Sequence, residues 1–182
     1  MKIFKLFLLF IVSLLFSTCE KDDICDPALL KTPHLLIEFY DKTQTSLLKN
    51  VQDFKVYDID NQKYLVINQN PDATGDGRFI LTSNKLKLPL NTLKNDSKYQ
   101  FIFNANDKAD IVPSKNIDIL TFNYSLDYQY VSRGCGYKAV FNDLLPINLT
   151  DNTSPDQLWI NNIQLINTNV INEDVLHVKI YF

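Results

Sequence analysis

The sequence predicts an all-β protein: an immunoglobulin-like antiparallel two-sheet sandwich behind an N-terminal export segment. Three observations carry that expectation. Apolar and polar residues alternate over short runs, the two-residue period of a half-buried strand. No long stretch shows the apolar stripe of a helix, and the only helix candidates are short, near Ala28-Leu29-Leu30, Asn91 to Lys94 and Pro155 to Leu158. Polar turn residues punctuate the runs, as many-stranded antiparallel folds require. A closed barrel is the competing architecture, but it calls for more even strand lengths.

The strands are expected in this order. Leu35, Ile37 and Phe39 share one face of His34–Tyr40, and Phe54 and Val56 share one face within Val51–Ile59. Tyr64–Ile67 is a short run closed by the turn Asn70-Pro71-Asp72-Ala73-Thr74-Gly75-Asp76-Gly77, followed by Phe79–Thr82 and Leu86–Leu90. Tyr99, Phe101 and Phe103 alternate with Gln100 and Ile102. Leu120, Phe122, Tyr124, Leu126, Tyr128 and Tyr130 form one long stripe, expected to bend midway. Lys138–Phe141, a run around Ile163 and Leu165, and a turn at Asn172-Glu173-Asp174 follow. The last run places Leu176, Val178, Ile180 and Phe182 on an apolar face, with His177 and Lys179 on the polar one.

The segment ahead of the strands is of another kind. Lys2 and Lys5 give a basic start, and Leu6–Phe16 is apolar on every side. At about eleven residues it is too short to cross a ~30 Å hydrocarbon core as a helix. With its abrupt charged end it has the pattern of a secretory signal, residues 1–18. Phe16-Ser17-Thr18-Cys19 loosely resembles a lipobox, which makes Cys19 the expected lipid-attachment residue. One acyl chain holds only marginally, at ~0.8 kcal/mol per buried CH₂, so stable anchorage needs the several chains of an acylated cysteine. Glu20, Lys21, Asp22 and Asp23 resemble the export signal of Bacteroidota surface lipoproteins, and their charge keeps residues 19–33 solvated as a tether. Residues 34–182 are then one domain, of ordinary size for a single core.

Export removes two of the 18 basic residues and none of the 21 acidic ones, so a net charge already at −3 falls further. Nucleic acid is therefore not an expected partner, because it needs a clustered basic face. Of the three cysteines, acylation takes Cys19. Cys25 and Cys135 are expected to form a disulfide in an oxidising compartment; the alternative is a free, reactive Cys135. Gly134 and Gly136 flank Cys135 and allow a positive φ there.

Catalytic chemistry finds little footing. The two histidines, His34 and His177, are expected on strands and partly exposed, and no metal-ligand spacing accompanies them. The Asn70–Gly77 loop has aspartates beside glycines but lacks the alternating acids and closing Glu of a calcium loop. Glu38 and Glu173 are the only glutamates beyond the tether, and nothing in the sequence places them together. Tyr40, Tyr57 and Trp159 could form a stacking platform for sugar, although such residues more often pack in cores. No catalytic residue, cofactor or metal is expected.

Several stretches together resemble one family: Cys19–Cys25, Leu36–Asp41, Leu88-Pro89-Leu90, Val131–Tyr137, Trp159-Ile160, Asn172-Glu173 and His177–Phe182. The chain is similar to an uncharacterised family of Bacteroidota lipoproteins, a domain of unknown function. The resemblance implies a small envelope lipoprotein with a β-rich domain and transfers no activity. The expected function is that of a non-enzymatic envelope lipoprotein, anchored in the outer membrane and surface-exposed, acting as a structural or protein-binding module with an envelope protein as partner. A glycan-binding module or adhesin is the alternative.

Overall fold

The computed structural model describes residues 25–26, 29–106, 115–152 and 157–182. In chain order the strands are β1 (Leu35–Tyr40), β2 (Lys55–Asp58), β3 (Lys63–Tyr64), β4 (Lys85–Leu88), β5 (Asp96–Phe103), β6 (Asn116–Asn123), β7 (Ser125–Ser132), β8 (Gly136–Asn142), β9 (Asn148–Asp151), β10 (Asn162–Leu165) and β11 (Val178–Tyr181). They fall into two compact units. The larger is Thr32–Tyr128 with Ala139–Phe182; the smaller is Gln129–Lys138 with the described residues up to Lys31.

The larger unit holds a four-stranded sheet, ordered β10-β11-β1-β4, and a five-stranded sheet, ordered β3-β2-β5-β6-β9. The five-stranded sheet is antiparallel throughout. In the other sheet β1 pairs antiparallel with β4 and β10 with β11, while β1 and β11 run parallel. Alternation of side chains carries no strand direction, so this seam could not be read in advance. Leu35, Ile37 and Phe39 of β1, Leu86 and Leu88 of β4, and Val178 and Ile180 of β11 share one buried cluster with Val56, Tyr99, Phe101, Leu120 and Phe122 of the other sheet. The fold is thus the expected two-sheet β-sandwich. Phe54 bridges the layers, edge-on to Phe39 at 5.6 Å and to Phe101 at 5.2 Å. Full burial of each such side chain contributes about 1.5–3 kcal/mol.

The long aromatic stripe does not stay in one sheet. β6 ends at Asn123, and Asn95 grips the chain on both sides of Tyr124: its carbonyl accepts the Tyr124 amide at 2.9 Å and its Oδ1 the Leu126 amide at 3.0 Å. The Tyr124 hydroxyl lies 2.7 Å from Ser97 Oγ, both groups being buried. The chain leaves the sheet there, and β7 pairs with β8 alone. Leu120 and Phe122 are buried, but Tyr128 and Tyr130 are 55% and 57% exposed.

Three further expectations are corrected. Phe79–Thr82 is no strand: Phe79 closes a 3-10 turn over Gly75–Phe79, and Leu81 makes a single bridge to Phe54. β9 arises from residues with no marked alternation. No helix forms at Asn91–Lys94, at Leu29-Leu30 or at Gln157-Leu158, the rest of those two candidates lying outside the described residues.

Candidate functional site

The outer face of the four-stranded sheet gathers the charged groups that the sequence left scattered. Register sets Glu38 of β1 opposite Lys85 of β4 and Lys179 of β11, and Leu36 opposite Lys87. Lys85 Nζ lies 2.8 Å from Glu38 Oε1, and Lys87 Nζ lies 2.7 Å from Glu173 Oε2. Glu173, in the loop before β11, also accepts from the His34 backbone at 3.2 Å and meets His34 Nδ1 at 2.5 Å. The Tyr40 hydroxyl donates to Glu38 Oε2 at 2.7 Å, and Lys179 Nζ sits 4.8 Å from the centre of the Tyr40 ring. Two lysines spaced two residues apart on β4 thus draw Glu38 and Glu173 to one strip.

Electrostatics fixes the charge state of this strip. Burial acts to raise the Glu38 carboxyl, but the bonds from Lys85 and Tyr40 and the nearby Lys179 outweigh it and hold the group below its ordinary range. Burial likewise opposes ionisation of Glu173, yet Lys87 and His34 bring it down to about 2. The bond to Glu38 pushes the Tyr40 hydroxyl up to about 12. A general acid or base works best near the ambient pH; these carboxylates are instead committed anions with cations already beside them.

Two concavities flank β4. One, of about 210 Å³, is lined by Leu36, Glu38, Lys85, Lys87, Asp174 and Leu176. The other is an open groove of about 520 Å³, where Lys85 and Lys87 meet Asn68, Gln69, Thr82 and Ser83. β4 ends its sheet, so backbone groups that do not pair with β1 face away from it. The Asn70–Gly77 loop beside the groove is held by its own amides. Asn68 Oδ1 accepts the Asn70 amide, Asn70 Oδ1 accepts the Asp72 amide, each at 3.0 Å, and Asn68 Nδ2 donates to the Gly77 carbonyl at 2.8 Å. Among the described residues no three His, Cys, Asp or Glu side chains are grouped to hold a metal.

The other candidate residues fall elsewhere. Residues 1–18, Cys19 and the Glu20, Lys21, Asp22, Asp23 stretch lie outside the described residues. Cys25 and Cys135 are joined as a disulfide, with Cα atoms 4.8 Å apart across a sequence separation of 110. Gly136 supplies the positive φ, +75°, where the Arg133–Cys135 turn passes into β8. Tyr40, Tyr57 and Trp159 share no platform. Tyr40 tilts against Tyr181, Tyr57 meets Tyr64 edge to face, and Trp159 stacks on Phe103 at 5.1 Å.

His177 corrects the reading of a partly exposed ring: it is fully buried. Its Nδ1 accepts the Leu36 amide at 3.0 Å, while its own amide donates to the Leu36 carbonyl at 3.1 Å. Asp118 went unremarked in the sequence, although it alternates with Leu120 and Phe122. It is fully buried, and its Oδ2 accepts the Ile160 amide at 2.9 Å.

No curated protein and no solved structure is detectably similar to the chain. Residues 54–182, from the start of β2 through β11 and including Cys135, match a family of unknown function, DUF6452, and the chain belongs to that family.

Proposed function

We propose that the chain is a non-enzymatic envelope lipoprotein of the Bacteroidota kind, anchored in the outer membrane through Cys19 and facing outward, whose sandwich is a protein-binding module. The observation that carries the binding role is the terminal strand β4, bordered by the open groove and bearing Lys85 and Lys87. An edge strand offers a partner main-chain hydrogen bonds, and alternate side chains supply selectivity. The anchor rests on the apolar Leu6–Phe16 run and the Cys19–Asp23 stretch that follows it.

The test is a photo-crosslinking amino acid at the exposed Gln69 or Thr82, activated in intact cells, with capture of the adducts. One reproducible protein adduct, lost when the crosslinker is moved to the exposed Leu93, is the expected result. Adducts absent at both groove positions would count against a binding edge. A glycan is the second reading, favoured by the uncharged amides and hydroxyls of Asn68, Gln69, Thr82 and Ser83. A glycan array probed with the protein and giving no hit would remove it.

A further inference from the structure

The smaller unit has a composition unlike the rest of the chain. None of its described residues is buried. Its apolar side chains face solvent instead: Leu29 is 55% exposed, Tyr130 57% and Tyr137 64%. Tyr130 and Tyr137 meet edge to face at 5.4 Å, so the pair is an ordered aromatic surface rather than two loose rings. Among its described residues this unit carries Lys31, Arg133 and Lys138 against one acid, Asp26, whereas the whole chain has a net charge of −3; the stretch ahead of Cys25 adds Glu20, Lys21, Asp22 and Asp23. In place of an apolar interior it has the Cys25–Cys135 disulfide.

That disulfide also fixes where this surface lies along the chain. Cys25 is six positions beyond Cys19 and nine beyond Phe16, the end of the apolar run. Six residues span at most ~20 Å when fully extended. Whether acyl chains on Cys19 or the apolar run itself enters the bilayer, the hairpin is kept within a few nanometres of the lipid. Tyrosine suits that position: an apolar ring with a polar tip is enriched at the headgroup level. Basic residues beside it add electrostatic attraction to anionic headgroups. Anchors gain stability when a second element shares the load.

We propose that Tyr130 and Tyr137, in the unit that also carries Leu29, Lys31, Arg133 and Lys138, form a membrane-interface contact that seats the β7–β8 hairpin on the lipid surface next to the proposed anchor. The occupant of this surface is a bilayer headgroup region. The proposal rests on the anchored reading given above and adds to it a second point of attachment.

The test uses the full lipidated chain in phosphatidylcholine vesicles, with and without phosphatidylglycerol, carrying Tyr130→Trp or Tyr137→Trp. Flotation of the vesicles reads the anchor, and quenching by bromine-labelled lipid reads the hairpin. Trp159, the chain's only native tryptophan, lies in the larger unit and gives the wild-type baseline. The expected result is flotation together with loss of the introduced tryptophan's emission, greater when phosphatidylglycerol is present. Flotation without added quenching overturns the proposal and leaves the anchor intact. Loss of flotation defeats the anchored reading and this inference with it. Shielding of the introduced tryptophan from aqueous quenchers in native membranes, but no quenching by lipid in vesicles, would assign the surface to a protein and overturn the lipid assignment.

Discussion

The ring of His177 is enclosed, and its Nδ1 receives the Leu36 amide, so the neutral form is the one that the fold holds. Burial lowers its pKa, and the Asn169 backbone opposes that only in part. An unfolded chain takes up the proton first, near the ordinary value of ~6.5. The ring's contribution is therefore complete above that pH and is lost as the pH falls through the lower folded value. Stability measured by urea titration should decline from pH ~7 to ~5. His177→Phe should be less stable at neutral pH by about 1–3 kcal/mol, because the Leu36 amide loses its acceptor, and should show a flatter slope in that window. An equal slope in both proteins would remove His177 as its source. Glu173 has a separate window: its folded value of about 2, against an ordinary 4.5, gives stability that is intact above 4.5 and lost as the pH falls toward 2. Glu173→Gln should flatten that acid limb; an unchanged limb would mean that the His34 and Lys87 contacts contribute nothing.

At the scale of elements, alternation told most where one face of a strand meets the core and the other meets solvent. β1, β5, β6 and β11 are such strands, and Leu35, Ile37, Phe39, Tyr99, Phe101, Leu120, Phe122, Val178 and Ile180 all point where the period-two pattern puts them. The pattern failed where contacts from distant residues decide. His177 is enclosed because the chain between β10 and β11 folds back, with the Ile166 and Asn167 amides both donating to the His177 carbonyl. The stripe from Leu120 to Tyr130 divides because Asn95 holds Tyr124 and Leu126, which no local pattern encodes. Glycine positions around Cys135 were legible for a different reason: few residues accept a positive φ. At Gly136 an added Cβ meets nothing within 4 Å, so the whole cost of Gly136→Ala is backbone strain at φ +75°. That is roughly 1–2 kcal/mol. Hydrogen exchange of the hairpin amides should quicken by roughly five- to thirty-fold. Gly77, equally uncrowded and without a positive φ, is the control. Gly77→Ala should be neutral or stabilising by about 0.4–1 kcal/mol. Equal behaviour of the two variants would show that the hairpin turn does not depend on its glycine.

For the whole molecule, segments far apart in sequence are tied together twice. The parallel seam sets β1 between β4 and β11, and the Lys49 ammonium donates to the Phe182 carbonyl at 3.0 Å while lying 4.4 Å from the centre of the Phe182 ring. The strip around Glu38 and Glu173 follows from this arrangement and was invisible in sequence, since its members come from residues 34 to 179. The proposed anchor, by contrast, rests on a local feature of sequence, and on that proposal Cys19→Ala should shift the protein from the membrane fraction to the soluble one. Replacing Lys21, Asp22 and Asp23 with Ala should protect it from proteases added to intact cells. Unchanged partitioning, or equal protection of both versions, would counter those two expectations in turn. The disulfide is the second tie, closing a loop whose ends are 110 residues apart and which contains β1 through β7. Chain entropy assigns such a cross-link about 4–5 kcal/mol, acting through the unfolded state, against a typical total of ~5–15 kcal/mol. The doubly substituted Cys25→Ser/Cys135→Ser protein should therefore unfold at lower urea. Its m-value should rise, because an untethered unfolded chain exposes more surface. Intact mass after alkylation without reduction gives the complementary reading: wild-type protein from the envelope should take up no label at these two cysteines. An unchanged urea midpoint in the double variant, with both wild-type thiols labelled, would show that the two cysteines stand free and that the larger unit holds its fold unaided.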